Sequence, residues 1–180
     1  HSVTVTLGTG VGGGVVINGK VYSGFNFAAA ELGHMTIMMD GEQCTCGNKG
    51  CWEAYASASA LIRQTQEAAK EHPESLVYKL VDGDLTKIDA KTAFDAAKQG
   101  DKVGQELVDQ YIKYIAVGLG NIVNIFMPEV IVIGGGVCKE GEYLLAPLRK
   151  RVRELAYTRE IPLPEIKVAQ MGNDAGIVGA

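Results

Sequence analysis

Three of the four cysteines in this sequence lie within eight consecutive positions, at Cys44, Cys46 and Cys51, and His34 precedes them. Three thiolates and one imidazole are the donor set of a closed, tetrahedral structural zinc site. Soft sulfur ligands also select zinc over calcium or magnesium. Two glycines inside the segment allow it to fold back tightly, because glycine tolerates positive φ. The spacing therefore predicts a zinc-binding loop.

A disulfide and free core thiols are the alternatives for these cysteines. Cys44 and Cys46 are separated by one residue, which is too close for comfortable pairing, and a triplet leaves one thiol over. The fourth cysteine, Cys138, follows an apolar segment and is interpreted as a small buried residue.

A first glycine-rich segment, Gly8–Gly14, lies between two apolar segments and is interpreted as a turn. Consecutive backbone N–H groups in such a turn can form an anion-binding nest, and a threonine adds a hydroxyl donor. Gly8, Thr9, Gly10 and Gly12 are the candidate phosphate-binding residues. No Gly-Lys-Ser/Thr follows, and the next segment is strand-like, so neither a Walker A loop nor a Rossmann fingerprint is indicated. An ordinary structural turn remains the alternative.

A second glycine cluster, formed by Gly134, Gly135 and Gly136, follows the apolar segment Val130–Ile133. Ligands of open α/β sheets bind at the carboxyl ends of strands, and small residues there leave room for a flat ring or a ribose. A close strand–helix packing corner is the alternative. Two such clusters beside two strands together favour a nucleotide.

The elements that position these residues follow from periodicity and turn signals. Three antiparallel strands are predicted as a meander through the Asn18-Gly19 hairpin signal: Val3–Leu7, Val15–Ile17 and Lys20–Tyr22. Further strands are predicted at Met35–Met39, Val130–Ile133 and Glu165–Ala169. Helices are predicted at Ser57–Lys70, Thr92–Lys98, Asp101–Phe126 and Gly141–Ala156, and a last one from Asp174. This order predicts a layered α/β domain.

Composition excludes several classes of protein. Hydrophobic residues make up 47% and charged residues 21% of the chain, which is typical of a folded domain and not of a disordered one. The formal net charge of −4 argues against binding of a nucleic-acid backbone by this segment. No uncharged apolar run approaches the roughly 18 residues of a membrane span. Both ends interrupt predicted elements, so we expect the chain to be part of a longer protein.

The motifs together resemble the ROK (repressor, open reading frame, kinase) family of sugar kinases and repressors. The resemblance rests on Glu31-Leu-Gly-His34 followed by Cys44-x-Cys46-Gly-x-x-Gly-Cys51-x-Glu53. The first glycine-rich segment is similar to the family's second phosphate loop, the triple glycine to its adenosine motif, and Gly172–Gly176 to its C-terminal turn. The resemblance covers nearly the whole chain, and the overall sequence is most similar to bacterial glucokinases of the clostridial type.

The resemblance implies an actin/hexokinase-like (ribonuclease H-like) ATPase fold, with residues 1–180 as the C-terminal domain of a two-domain kinase. It implies that Glu31, His34 and Glu53 bind the hydroxyls of glucose, that the zinc is a scaffold, and that ATP and Mg²⁺ are the cofactors. Without the resemblance, Glu31 and Glu53 are ordinary surface acids. A cytoplasmic protein, which fits reduced cysteines, and a homodimer or tetramer are also implied.

One departure from the family pattern concerns catalysis. The family's kinases carry a first phosphate loop and an Asn-Asp motif, whose Asp is the general base, in an N-terminal domain that this sequence does not contain. Asn173-Asp174 lies in the C-terminal turn and is not that motif. We therefore expect no catalytic residue in this chain and no activity from it alone. A sugar-responsive repressor, a kinase for fructose, mannose, allose or an N-acetylated amino sugar such as N-acetylmannosamine, and a metal-stabilised interaction module are the alternatives.

Overall fold

A computed structural model describes residues 1–158 and 160–170 of the chain. In this part of the chain, a mixed sheet has the strand order β3-β2-β1-β4-β5. The strands are β1 (Ser2–Leu7), β2 (Val11–Ile17), β3 (Lys20–Val21), β4 (Val130–Gly134) and β5 (Glu165–Val168). β1, β2 and β3 form the predicted antiparallel meander, while β4 runs parallel to β1 and β5 runs parallel to β4.

Helices cover the sheet and connect its two halves. The α-helices are α1 (Glu53–Ala56), α2 (Ala58–Glu71), α3 (Leu76–Lys79), α4 (Thr92–Lys98), α5 (Lys102–Phe126) and α6 (Glu142–Leu155). Short 3₁₀ helices occur at Leu32–His34, Leu85–Lys87 and Gly136–Glu140. No helix in the described ranges is both long enough and apolar enough to cross a membrane.

The long helix α5 is the centre of the packing. Asp101 caps its first turn by accepting a hydrogen bond from the Gly104 N–H at 2.8 Å, which satisfies a donor that has no partner within the helix. The helix ends at Phe126, and its C-cap residue Met127 adopts a left-handed conformation with φ 39°, just before Pro128. Its apolar face is buried against the sheet side of the domain, and α4 and α6 pack on it.

Several predicted elements are confirmed, and two are wrong. β2 begins at Val11 and not at Val15. Its glycines have a weak propensity for strands, but they lie opposite β1, and pairing with that strand keeps them extended. Met35–Met39 is not a strand. Thr36 forms a single bridge with Cys51, and the Ile37 N–H donates to the Gly50 carbonyl oxygen at 2.8 Å. The segment therefore pairs with the cysteine-rich loop and not with the sheet.

Several short helices were not predicted from the sequence. α3 and the 3₁₀ helix Leu85–Lys87 each begin at a capping side chain, Ser75 and Asp84 respectively, but they are too short for apolar periodicity to reveal. The 3₁₀ helix Gly136–Glu140 lies between the triple glycine and α6. The predicted helix from Asp174 and the Gly172–Gly176 turn lie outside the described residues.

Candidate functional site

The four residues predicted to bind zinc lie together. Their ligand atoms, one imidazole nitrogen and three sulfurs, all lie within 4.8 Å of one another. The Cys46 and Cys51 Sγ atoms are 3.6 Å apart, and the Cys44 Sγ is 3.7 Å from the His34 Nδ1. Zn–S bonds of about 2.3 Å arranged tetrahedrally require ligand separations of about 3.8 Å. The donor set and its spacing therefore fit a zinc ion.

The thiols of this cluster are electrostatically unequal. Burial raises the pKa of the Cys51 thiol to about 12, whereas a hydrogen bond from the Asn48 backbone lowers the pKa of the exposed Cys46. A cation among the sulfurs would offset the burial that opposes ionisation of the Cys51 thiol.

A buried tryptophan fixes the end of the cysteine-rich loop. Trp52, between Cys51 and Glu53, is fully buried. Its indole N–H donates a hydrogen bond to the Tyr114 carbonyl oxygen of α5 at 2.8 Å. The indole lies directly on Gly118, where a Cβ would overlap the ring. α5 thereby determines where the third sulfur and the adjacent carboxylate lie.

Glycines in β2 and in the first 3₁₀ helix position His34. A Cβ at Gly13 would lie 2.5 Å from the Ala30 carbonyl oxygen, and a Cβ at Gly33 would overlap the Val11 carbonyl. The 3₁₀ helix Leu32–His34 therefore packs on the β2 backbone at a distance that no side chain permits. Ala30 itself has φ 67°, a left-handed conformation that costs a residue with a Cβ about 1–2 kcal/mol.

The carboxylate of Glu53 connects the cysteine-rich loop to the first glycine-rich turn. Its Oε2 accepts a hydrogen bond from the Val11 N–H at 2.9 Å, and its Oε1 lies 3.8 Å from the Cys44 Sγ. A Cβ at Gly10 would overlap the Oε2 atom, so this contact requires glycine. A second connection runs from the Ala58 N–H, at the start of α2, to the Gly8 carbonyl oxygen at 2.8 Å.

The turn and the loop also share a cavity of about 210 Å³, which Thr9, Thr45 and Glu53 line. The turn comprises Gly8–Gly10 only, since β2 begins at Val11. Gly12, predicted to bind phosphate, lies within β2 opposite Thr6 of β1. The predicted phosphate-binding segment is thus a turn at its start and part of a strand at its end.

The triple glycine lies beside the same turn. A Cβ at Gly135 would overlap the Leu7 carbonyl, and its φ is 110°, so this glycine is a packing corner, one of the two interpretations of the cluster. At Gly136 nothing lies within 4 Å of an added Cβ. An open cavity of about 440 Å³ is lined by the three glycines and by the end of β5. β1 and β4 are parallel neighbours, so both clusters lie at the same carboxyl edge of the sheet.

The ROK family model matches residues 1–180. This chain belongs to the ROK family. Its described residues have the mixed α/β sheet of the actin/hexokinase-like ROK sugar-kinase fold.

The ROK domain is similar to both kinases and repressors. A glucokinase from Thermotoga maritima is 42% identical over 180 residues, which cover 100% of this chain and 56% of that protein. The xylose repressor of Bacillus spizizenii is 29% identical over 177 residues, which cover 98% of this chain and 42% of the repressor. The chain spans about half the length of the curated relatives it matches.

A solved structure with the same fold is that of a ROK family glucokinase from Streptomyces griseus in complex with glucose and AMPPNP. It aligns with a TM-score of 0.89 and 39% sequence identity, and the alignment covers 99% of this chain and 58% of that chain.

Some features of the site were not accessible to sequence reasoning. The Val11 N–H that binds Glu53 was missed, because no side-chain signal marks a backbone donor. The Trp52–Gly118 contact was also missed, although a helical glycine facing the core is a signal for close packing. Glu31 is exposed, and its carboxylate has no hydrogen-bond partner among the described residues. Cys138 is buried, as predicted, and its thiol donates to the Ile133 carbonyl at 3.5 Å.

Proposed function

We propose that the full-length protein containing this ROK domain transfers the γ-phosphate of ATP to the 6-hydroxyl of glucose, with residues 1–180 as its C-terminal domain. The observation that carries this proposal is the 2.9 Å hydrogen bond from Val11 to Glu53. It joins a residue assigned to the sugar to Val11, which directly follows the turn assigned to the phosphate. A phosphoryl transfer requires the acceptor hydroxyl and the transferred phosphate to lie side by side.

In this proposal Glu31, His34 and Glu53 bind the sugar hydroxyls. The His34 Nδ1 faces the Cys44 sulfur, so its Nε2–H remains as a donor to the sugar, and ligation at one ring nitrogen fixes the tautomer of the other. Zinc held by His34 and the three cysteines supplies structural cross-linking and no step of the reaction.

The nucleotide occupies the carboxyl edge of the sheet. The Gly8 N–H already donates to the Gly10 carbonyl oxygen at 3.0 Å and so holds the turn in shape. The Gly10 N–H and the Thr9 hydroxyl bind phosphate oxygens, and the Gly134–Gly136 cavity takes the adenosine. Gly12 contributes through its backbone in β2. Mg²⁺ neutralises the phosphate charge in such reactions.

We propose that this chain alone is inactive. The general base that accepts the hydroxyl proton belongs to the family's Asn-Asp motif, and losing a general base costs about 10²–10⁴-fold in rate. The chain carries the sugar and nucleotide elements without that base. We also place the protein in the cytoplasm, since none of its four cysteines forms a disulfide. The dimeric or tetrameric state stays a prediction.

The test is an ADP-release assay of the full-length protein with ATP, Mg²⁺ and a panel of hexoses that includes glucose, fructose, mannose, allose and N-acetylmannosamine. We expect the highest kcat/KM with glucose, and we expect Glu31→Gln to raise the KM for glucose more than the KM for ATP. Glucose-dependent ADP release by the 180-residue chain would contradict the proposed inactivity. A full-length protein that phosphorylates none of the sugars would contradict the kinase assignment.

A sugar-responsive repressor is the second candidate, because the xylose repressor aligns over 98% of this chain. It predicts that the full-length protein binds duplex DNA of its own promoter region and releases it with sugar. An electrophoretic mobility shift with and without hexose distinguishes the two functions. DNA binding without ADP release would favour the repressor.

A further inference from the structure

The cavity beside the triple glycine contains one charged side chain among the described residues that line it. The other lining residues are glycines and the uncharged Cys138, Val168 and Ala169, while Lys139 contributes a side chain with an ammonium group. Lys139 is exposed and forms no ion pair with any residue in the described ranges. Its positive charge is therefore available to a ligand in the cavity.

The neighbouring acidic residue does not cancel this charge. Glu140 forms an ion pair with Lys98 of α4, and its side chain is only 7% exposed. The Lys98 ammonium also lies 5.5 Å from the centre of the Tyr143 ring, which is a favourable cation–π distance. Because Lys98 neutralises Glu140, the cavity entrance keeps the net positive charge of Lys139.

The 3₁₀ helix that carries Lys139 begins beside the end of β1. The 3₁₀ helix Gly136–Glu140 is flanked by two positive-φ glycines, Gly135 (φ 110°) and Gly141 (φ 58°). Gly135 packs directly on the carbonyl of Leu7, the last residue of β1. The phosphate turn follows Leu7 immediately, so Lys139 and that turn belong to one edge of the sheet.

We propose that Lys139 is a nucleotide-binding residue whose ammonium contacts the phosphate groups of ATP. This inference rests on the proposed kinase function and adds a side-chain contact to a site otherwise built from backbone and a threonine hydroxyl. A lysine ammonium is a compact charge with three donors, and phosphate oxygens are its natural acceptors. The Lys98–Glu140 ion pair acts as a positioning pair that holds the 3₁₀ helix and keeps the carboxylate neutralised.

The test measures steady-state kinetics of the full-length protein with Lys139→Ala, Lys139→Arg and the control Lys150→Ala. Lys150 is an exposed lysine on α6 that does not line this cavity. We expect Lys139→Ala to raise the KM for ATP roughly 10-fold, the loss of one hydrogen bond to a charged group, and to leave the KM for glucose unchanged. Lys139→Arg keeps the wild-type KM for ATP within about 3-fold, and Lys150→Ala has no effect.

Calorimetric titration with ATP and with adenosine identifies the part of the nucleotide that Lys139 contacts. Weaker binding of ATP with unchanged binding of adenosine supports the proposal. Equal weakening for both ligands, or an unchanged KM for ATP in an active enzyme, overturns it. Absence of activity and of nucleotide binding in the wild-type protein would instead refute the proposed function itself.

A second pair of variants tests the ion pair. Lys98→Met leaves an uncompensated carboxylate beside Lys139, so the KM for ATP rises. Adding Glu140→Gln removes that carboxylate and restores the KM towards the wild-type value. An increase in the KM for ATP that persists unchanged in the double variant refutes the neutralising role of Lys98.

Discussion

Replacement of Gly10 by alanine tests the contact that joins the glycine-rich turn to the cysteine-rich loop. An added Cβ would overlap the Glu53 Oε2, so the carboxylate must move away from the Val11 N–H. The φ of Gly10 is not in the left-handed region. Alanine is therefore not strained by its own backbone, and the steric displacement of Glu53 is the only direct effect.

The magnitude follows from the bond that is lost. The Val11 N–H donates to the carboxylate at 2.9 Å, and Val11 is 6% exposed, so water does not readily replace the acceptor. A hydrogen bond to a charged group contributes about 1.5–3 kcal/mol to stability. For a chain of this size, 1 kcal/mol shifts the melting temperature by about 2–4 °C. Gly10→Ala is expected to lower it by about 3–12 °C.

The assay is thermal unfolding of the 180-residue chain, followed by circular dichroism, with Gly8→Ala as the matched control. Nothing lies within 4 Å of a Cβ at Gly8, and its φ is not positive, so this variant should differ by less than about 0.5 kcal/mol. Glu53→Ala and the double variant Gly10→Ala/Glu53→Ala complete a cycle. Because both single changes remove the same bond, their effects should not add. Additive losses, or equal losses for Gly8 and Gly10, would refute the reasoning.

Three further predictions concern residues around the site. Ala30→Gly should stabilise the chain by about 1 kcal/mol in urea unfolding, because it relieves the left-handed backbone at φ 67°; a destabilised variant would argue against strain there. Gly118→Ala gains up to about 1 kcal/mol of helix propensity, but it forces a methyl group onto the buried Trp52 ring, which costs about 1–3 kcal/mol. We therefore expect a lower free energy of unfolding and weaker metal retention, and a more stable variant would contradict the packing. Burial opposes ionisation of Asp101, but hydrogen bonds from backbone N–H groups and a serine hydroxyl outweigh it and hold its pKa below the ordinary value. Its stabilisation is thus full above about pH 3.9 and is lost as the pH falls through the lowered pKa. Asp101→Asn should therefore flatten the stability profile below about pH 3.9, and an unchanged profile would refute this reasoning.

The regular elements and the clustering of His34 with the three cysteines were accessible from the sequence for different reasons. The helix from Asp101 has a capping side chain, apolar periodicity and a terminating proline, and all three signals agree with the structure. The cysteine cluster is local, so residue type and spacing alone identify it. Tertiary contacts override local signals in β2, whose glycines pair with β1, and at Met35–Met39, whose backbone bonds to the cysteine-rich loop.

What sequence reasoning does not reach is contact between distant segments through backbone atoms. The Val11 N–H and the Glu53 carboxylate are 42 residues apart, and no periodicity or motif encodes a donor that every residue carries. The closeness of Gly135 to Leu7 likewise depends on β1 and β4 becoming neighbours in the sheet. Such contacts follow from strand order, which is decided by the whole core.

The central claim is that one metal ion joins His34 to the three cysteines and thereby holds in place the carboxylates that we propose bind the sugar. Elemental analysis of the reduced, purified chain, with protein concentration measured independently, tests it most directly. The account predicts one zinc per chain and a clear loss of zinc in Cys46→Ser. A reduced, folded chain without stoichiometric metal, or a Cys46→Ser variant with unchanged metal content, would contradict it.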